Sequence, residues 1–137
     1  MTSRFNADVT EMLLDGALRV LDNSEAEVYS VKVPGAVEIP VTCQALLNAG
    51  CEGVVALGAV IRGETSHYDY VCNSVERGIS QLMLETGKPI GFGILTTENE
   101  EQAFDRVGGT HGHKGEEAAQ VVLEMVGLLK ELKKIRK

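Results

Sequence analysis

The chain has 137 residues, of which 44% are hydrophobic and 24% are charged. This length and composition fit one domain with its own hydrophobic core, and they exclude the collagen-like and disordered classes. Thirteen basic against twenty acidic residues give a net charge of −7, which disfavours a nucleic-acid partner. The sequence has no apolar run of roughly 18 residues and no basic-then-apolar leader, so we predict a cytoplasmic protein with no membrane partner.

Helices and strands are predicted to alternate along the chain. Apolar residues recur every three or four positions over residues 9–21, which predicts a helix that Asn6 or Asp8 can cap. A strand rich in valine and tyrosine is predicted over 27–33, and a helix over 39–48. Further strands are predicted over 53–61 and 89–95. Three further helices are predicted: one over 68–85, one that begins after a cap at Thr96 or Thr97, and one from Lys114 to the end of the chain.

This order of elements predicts parallel strands joined by helical crossovers. The expected fold is therefore a three-layer α/β/α sandwich that forms a single domain over residues 1–137. Three strands make a small sheet for four or five helices, and units of this type ordinarily begin with a strand. We therefore expect the first strand to be missing or truncated.

The cysteines and the nucleotide patterns exclude several kinds of site. Cys43, Cys51 and Cys72 include no C-x-x-C pair, which argues against a disulfide framework and a zinc site. His111 and His113 have no third residue at ligand spacing, so no metal is predicted. The sequence also lacks G-x-x-x-x-G-K-[ST] and a complete G-x-G-x-x-G, which disfavours ATP and NAD.

Ligands of open parallel sheets bind beyond the carboxyl ends of the strands, and this rule selects residues 34–38, 62–67 and 95–98. The segment 62–67 (RGETSH) joins a glycine, two hydroxyl residues and a histidine at a helix start, where free backbone N–H groups favour an anion such as phosphate. His67 is a candidate general acid or base beside that anion. The alternative is that His67 is only a polar residue beginning a helix.

Residues 105–115 (DRVGGTHGHKG) form a second group of candidates. Arg106 can bind a phosphate through two hydrogen bonds, and Lys114 can add a point charge. Either residue can instead be a solvated surface charge. Glu38 can accept hydrogen bonds from substrate hydroxyls or serve as an ordinary acid in a first helical turn.

Several motifs together resemble the lumazine synthase family over essentially the whole chain. They are RFN at 4–6, VPGAVEIP at 33–40, GAVIRGETSHYDYVCN at 58–73, GKPIGFGILTTEN at 87–99, and then DRVGG and HGHKGEEAA. The resemblance implies a flavodoxin-like fold and the condensation of 5-amino-6-(D-ribitylamino)uracil with 3,4-dihydroxy-2-butanone 4-phosphate, with release of phosphate and water, in riboflavin biosynthesis. It implies no metal or organic cofactor, because the substrates carry their own amine and ketone.

The resemblance also implies a role for each matching position. His67 transfers protons, Arg106 holds the phosphate with the turn at Glu64 and Thr65, and Phe5 stacks on the pyrimidine. Phe92, between Gly91 and Gly93, reaches the pocket of a neighbouring subunit, since such glycines invite the close approach of another backbone. The remaining substrate-binding positions are Ala36, Val37 and Glu38 on the ribityl side, Ala59, Val60 and Ile61 at the uracil edge, and Lys114 and Glu117 as support.

Two positions depart from the family pattern. Val37 stands where an aromatic residue is frequent, which predicts weaker stacking on the ribityl side. Glu64 stands where the family often has a small residue, so its carboxylate is expected to face water while backbone N–H groups face the phosphate. The family also normally has one or two strands before the RFN motif, in agreement with the expected gap.

The resemblance implies a homo-oligomer, either a pentamer or a multiple of pentamers that includes icosahedral shells. One alternative is an archaeal-type riboflavin synthase, which uses two lumazine molecules and no phosphate substrate; the intact segment 62–67 and Arg106 favour the first function. A second is a flavin carrier, for which no Trp and only three Tyr and three Phe are a poor supply of aromatics. A third is a shell subunit without catalysis.

Overall fold

The structure is a computed structural model that describes residues 1–135. Its centre is a sheet of four parallel strands, in the spatial order β2-β1-β3-β4: β1 (Thr2–Ser3), β2 (Lys32–Val33), β3 (Val54–Ile61) and β4 (Ile90–Thr97). β3 and β4 pair along their whole length, from Val54 opposite Ile90 to Ile61 opposite Thr97. Both are almost continuously apolar because helices cover both faces of the sheet.

Five helices and a short hairpin complete the fold. They are α1 (Ala7–Asp22), α2 (Ile39–Asn48), α3 (His67–Thr86), α4 (Glu100–Phe104), the hairpin of β5 (Val107–Gly109) and β6 (Gly112–His113), and α5 (Lys114–Lys133). The predicted α/β/α sandwich is confirmed, and α2 has the predicted bounds. The predicted last helix is α5, although the last two residues of that prediction lie outside the described part of the chain.

Alternate residues of β3 face two separate hydrophobic clusters, because side chains of a strand point to opposite faces of the sheet. Val54 and Ala56 pack with residues of α2 and α3, including Cys43 and Ile79. Val55, Leu57 and Ala59 pack with α1, α4 and α5 on the other face. Burial raises the pKa of the Cys43 thiol to about 12, so this group is neutral core material.

The strand predicted over 27–33 is wrong in its length. Only Lys32 and Val33 pair, because their partner β1 offers only Thr2 and Ser3. A segment with a strand-like sequence forms a strand only over the length along which a neighbouring strand pairs with it. β1 itself occupies the position in the sheet at which a missing or truncated strand was expected.

One predicted cap is confirmed in position only, and another is wrong. Asn6 is the N-cap residue of α1, in a left-handed conformation, but its side chain makes no cap hydrogen bond and donates to the carbonyl of Ala59 at 3.1 Å instead. Thr96 and Thr97 belong to β4, and the cap of α4 is Asn99, whose side chain accepts the N–H of Gln102 at 2.8 Å.

Candidate active site

The strand order places many of the predicted site residues side by side along one edge of the sheet. We call the residues that follow the first three strands in space the β1–β3 edge: Phe5, Ala36–Glu38, Ala59–Ile61 and Glu64–His67. Its first member is fixed by its backbone, since the N–H of Phe5 donates to the carbonyl of Pro34 at 3.1 Å. The Phe5 ring itself is 69% exposed.

Residues Ala36–Glu38 form one turn of 3-10 helix directly before α2. Ala36 is buried, Val37 is exposed and Glu38 is half-buried. The Glu38 carbonyl accepts the Thr42 hydroxyl at 2.8 Å, which anchors the backbone of this turn to α2. Its carboxylate has no ion-pair partner within residues 1–135, so it is available to a hydroxyl ligand.

β3 extends beyond β1 at its carboxyl end, because the two strands pair only at Thr2 and Leu57. The backbone of Ala59, Val60 and Ile61 therefore has a strand partner on the β4 side alone. The Ala59 carbonyl is already occupied by the Asn6 side chain. A ligand that binds this stretch through backbone groups would use groups other than the Ala59 carbonyl.

The loop after β3 leads to His67, the first residue of α3. Glu64, Thr65, Ser66 and His67 are all exposed. The Thr65 hydroxyl accepts the His67 N–H at 3.3 Å, which tightens the turn. The Glu64 carboxylate lies at the surface, as expected for a side chain directed to water.

A separate pocket of about 320 Å³ lies at the carboxyl end of the fourth strand. We call it the β4 pocket; its lining is Ile94, Leu95, Thr96, Thr97, Arg106, His111, Lys114 and Glu117. The Arg106 guanidinium donates to the Gln102 carbonyl at 2.8 Å, and the Lys114 N–H donates to the Arg106 carbonyl at 2.8 Å. Two half-buried cations beside two threonines, with only one carboxylate in the lining, suit a phosphate-sized anion.

Three polar residues of this pocket have no substrate-binding role assigned from the sequence: Thr96, Thr97 and His111. The carboxyl-end rule did select the segment that contains the threonines, so their position carried a usable signal. His111 lay in the glycine-rich segment, and only the β5–β6 hairpin directs it towards β4.

His113 has a structural function. Its ring packs against Gly16 of α1, and its Nδ1 accepts the Glu116 N–H at 3.3 Å, which caps α5. Gly115 meets the Leu13 carbonyl on the same face. Within residues 1–135, no group of three or more His, Cys, Asp or Glu side chains is placed to hold a metal ion.

The β1–β3 edge and the β4 pocket do not merge in one chain. His67 begins the helix that packs on one face of the sheet, whereas Arg106 follows α4 on the other face. None of the β1–β3 edge residues lines the β4 pocket. The structure therefore brings Arg106 to Lys114 but not to His67 or Phe5.

Phe92 is half-buried and packs against the cluster that contains Ile90 and Ile94. The glycines beside it face α5 of the same chain: a Cβ at Gly91 would lie 2.5 Å from the Ala118 carbonyl oxygen. The close backbone approach predicted from these glycines is thus made within the chain. The role of Phe92 towards a neighbouring subunit stays a prediction.

Comparison with known proteins identifies relatives over most of the chain. The sequence model of the family described as 6,7-dimethyl-8-ribityllumazine synthase matches residues 1–130. A protein of that name from Bdellovibrio bacteriovorus is 62% identical over 133 residues, which cover 96% of this chain and 74% of the relative. Another from Desulfovibrio desulfuricans is 44% identical, covering 96% of this chain and 87% of the relative. No helix within residues 1–135 is long and apolar enough to cross a membrane.

Proposed function

Since the chain belongs to the 6,7-dimethyl-8-ribityllumazine synthase family, we propose that it condenses 5-amino-6-(D-ribitylamino)uracil with 3,4-dihydroxy-2-butanone 4-phosphate in riboflavin biosynthesis. The products are 6,7-dimethyl-8-ribityllumazine, inorganic phosphate and water. The observation that carries this proposal is the β4 pocket, in which Arg106 and Lys114 form a cationic site at the carboxyl edge of an otherwise acidic protein.

The chemistry requires two kinds of help from the protein. The amine of one substrate attacks the ketone of the other, so protons must be moved while water leaves, and the imidazole of His67 is the group that transfers them. The phosphate then leaves with its electrons, and the positive charge of Arg106 and Lys114 stabilises it. The turn at Glu64 and Thr65 supplies further N–H groups towards the phosphate.

The second substrate needs an aromatic face and hydroxyl acceptors. Phe5 offers the face, Glu38 accepts from the ribityl hydroxyls, and backbone groups of Ala59, Val60 and Ile61 read the uracil edge. Ala36 and Val37 complete the ribityl side. No metal or organic cofactor takes part in this proposal, because amine, ketone and leaving group all belong to the substrates.

The active form in this proposal is a cytoplasmic homo-oligomer, a pentamer or a multiple of pentamers up to a shell. Two observations support association: the Phe5 ring is 69% exposed, and the outer side of α5 exposes several large apolar side chains. These are Val121, Leu128 and Leu132. In the oligomer, Phe92 supplies a wall of the neighbouring subunit's pyrimidine pocket.

The decisive test is a turnover assay with both substrates that follows lumazine absorbance and phosphate release together. We expect the two signals to rise in a one-to-one ratio, without added metal and in the presence of a chelator. Formation of riboflavin from lumazine alone would favour the archaeal-type riboflavin synthase reaction. Assembled protein that releases neither product would favour a non-catalytic shell subunit.

A further inference from the structure

Arg62 connects the ends of two neighbouring elements. Its backbone N–H donates to the Thr97 carbonyl at 2.8 Å, and its Nε bonds the Glu98 carboxylate at 2.7 Å, so two contacts reach the end of β4. Its Nη2 bonds Asp69 in the first turn of α3 at 3.0 Å. One side chain therefore fixes the end of β4 to the start of α3.

The guanidinium is also stacked on an aromatic ring. Its central carbon lies 4.4 Å from the centre of the Tyr68 ring, within the range of a cation–π contact. A planar group that is stacked on a ring and bonded at two edges has little freedom to turn. Lysine, which has a single point charge, could not reproduce this arrangement.

The electrostatics of Arg62 differ from those of Arg106. Arg62 is paired with two carboxylates, so the group of Arg62, Asp69 and Glu98 carries more negative than positive charge. The guanidinium of Arg106 bonds a neutral carbonyl and retains its charge for a ligand. An anion approaching Arg62 would meet two carboxylates first.

Between its two anchored ends, the loop has little structure of its own. Residues 63–66 are exposed; the His67 N–H donates to the Thr65 hydroxyl, and the Ser66 carbonyl accepts the N–H groups of Asp69 and Tyr70 at the start of α3. The position of the loop thus depends on where its ends are held. A shift of about 1 Å in a group that binds or protonates a substrate can reduce a rate by up to roughly 100-fold.

We propose that Arg62 is a positioning residue that fixes the turn 63–66 and His67 relative to the end of β4, and that it does not bind the phosphate. This inference rests on the proposed function, in which that turn faces the phosphate. The two ion pairs are solvent-exposed, and such pairs add little to stability. We therefore expect the loss of these ion pairs to change how the substrate is positioned, which KM measures, and to leave the melting temperature unchanged.

The direction in which one substitution changes the KM for the phosphorylated substrate distinguishes positioning from direct binding. Glu98→Gln removes a carboxylate beside Arg62 and leaves the arginine in place. If Arg62 positions the turn, the KM for the phosphorylated substrate rises, by about threefold, while the KM for the pyrimidine substrate stays the same. If Arg62 binds phosphate itself, the freed positive charge lowers that KM, and the proposal is overturned. Asp69→Asn, which removes the carboxylate that Arg62 bonds in α3, distinguishes the same two possibilities.

Arg62→Ala measures the whole effect. We expect the KM for the phosphorylated substrate to rise about tenfold, and the double variant with Glu98→Gln to be no worse than Arg62→Ala alone, because the two residues act through one contact. Arg77→Ala, which removes an exposed arginine of α3, is the matched control and leaves both KM values unchanged. Strictly additive effects, or a normal KM in Arg62→Ala, would contradict the proposal.

Hydrogen exchange of the hydrogen-bonded backbone amides of His67, Asp69 and Tyr70 tests the clamp without turnover. Arg62→Ala and Glu98→Gln are expected to raise exchange there, with the melting temperature unchanged and with Arg77→Ala as control. If the unsubstituted protein turns over neither substrate, the proposed function fails, and this measurement still decides the positioning role. Unchanged exchange in both variants would overturn it.

Discussion

The β1–β3 edge and the β4 pocket both lie at the carboxyl ends of the parallel strands, yet they differ in how complete they are. The β4 pocket is concave and holds two half-buried basic residues: the Arg106 guanidinium bonds the Gln102 carbonyl, and the Lys114 backbone bonds the Arg106 carbonyl. The β1–β3 edge is open, with Phe5, Val37 and the turn before His67 at the surface. Under the proposed function, one chain therefore provides the anion site but only one wall of the site for the aromatic substrate.

The difference has a physical origin in the sheet. β4 is followed by α4, the hairpin and α5, and residues beside the hairpin and in the first turn of α5 line the pocket. The first three strands are followed by turns that lead directly into helices, and within residues 1–135 Phe5 stays 69% exposed. A second copy of the chain is the covering element that the proposed function supplies.

The largest expected effect is on the catalytic rate. His67→Ala should lower kcat by about 100-fold, because it removes a proton-transfer group from the β1–β3 edge. The KM for the phosphorylated substrate should change little, since His67 does not line the β4 pocket. Steady-state kinetics with each substrate varied in turn provide the measurement, and an unchanged kcat would remove His67 from the mechanism.

Arg106→Ala changes the β4 pocket, and we expect it to raise a KM, whereas His67→Ala lowers kcat. Charge-assisted hydrogen bonds contribute about 1.5–3 kcal/mol, which corresponds to a rise of roughly 10- to 150-fold in the KM for the phosphorylated substrate. Arg19→Ala, which removes an exposed arginine paired with Glu116, is the control. An unchanged KM in Arg106→Ala would show that the β4 pocket is not the phosphate site.

Mixing two impaired variants, assayed at a concentration of the phosphorylated substrate well below the KM of Arg106→Ala, tests whether the regions combine between subunits. Phe92 lies on the strand that forms the β4 pocket, so a neighbour that contributes Phe92 contributes Arg106 as well. His67→Ala chains co-assembled in equal amounts with Arg106→Ala chains should then recover about a quarter of the normal activity, because one neighbour pair in four has both residues intact at random. Verified mixed oligomers without activity would place both residues of each site in one chain.

The smallest effect is expected at Val37. Val37→Phe adds an aromatic ring to the open edge, and aromatic pairing is worth about 0.5–1.5 kcal/mol, so the KM for the pyrimidine substrate should fall by roughly 2- to 12-fold. Val41→Phe, at an exposed valine of α2, is the control. Equal effects of the two substitutions would indicate a general hydrophobic contribution instead of stacking.

The parts of the fold that depend on local pattern could be predicted from the sequence. The apolar run of β3 and the bounds of α2 follow from periodicity and flanking turn residues. The length of β2 could not be predicted, because it is set by a two-residue partner elsewhere in the chain. The β5–β6 hairpin lies among glycines that give no strand signal.

The candidate site likewise has a part that could be predicted from the sequence and a part that could not. The rule on carboxyl ends selected the segments that hold His67, Glu38 and the two threonines of the β4 pocket. It could not reveal that Arg106 and His67 lie on opposite faces of the sheet, since that depends on which helix covers which side. The ion pairs of Arg62 likewise join residues from three segments, and only tertiary structure brings them together.

The contact of Gly16 with the ring of His113 limits how the outside of this protein can be redesigned. Any side chain at position 16 would displace the cap of α5, and Lys114 is the next residue along the chain. A substitution at Gly16, made to label or immobilise the protein through α1, is therefore expected to shift Lys114, to which the proposed function gives a role at the phosphate. Asp15, the exposed neighbour of Gly16, is the attachment point that spares this coupling.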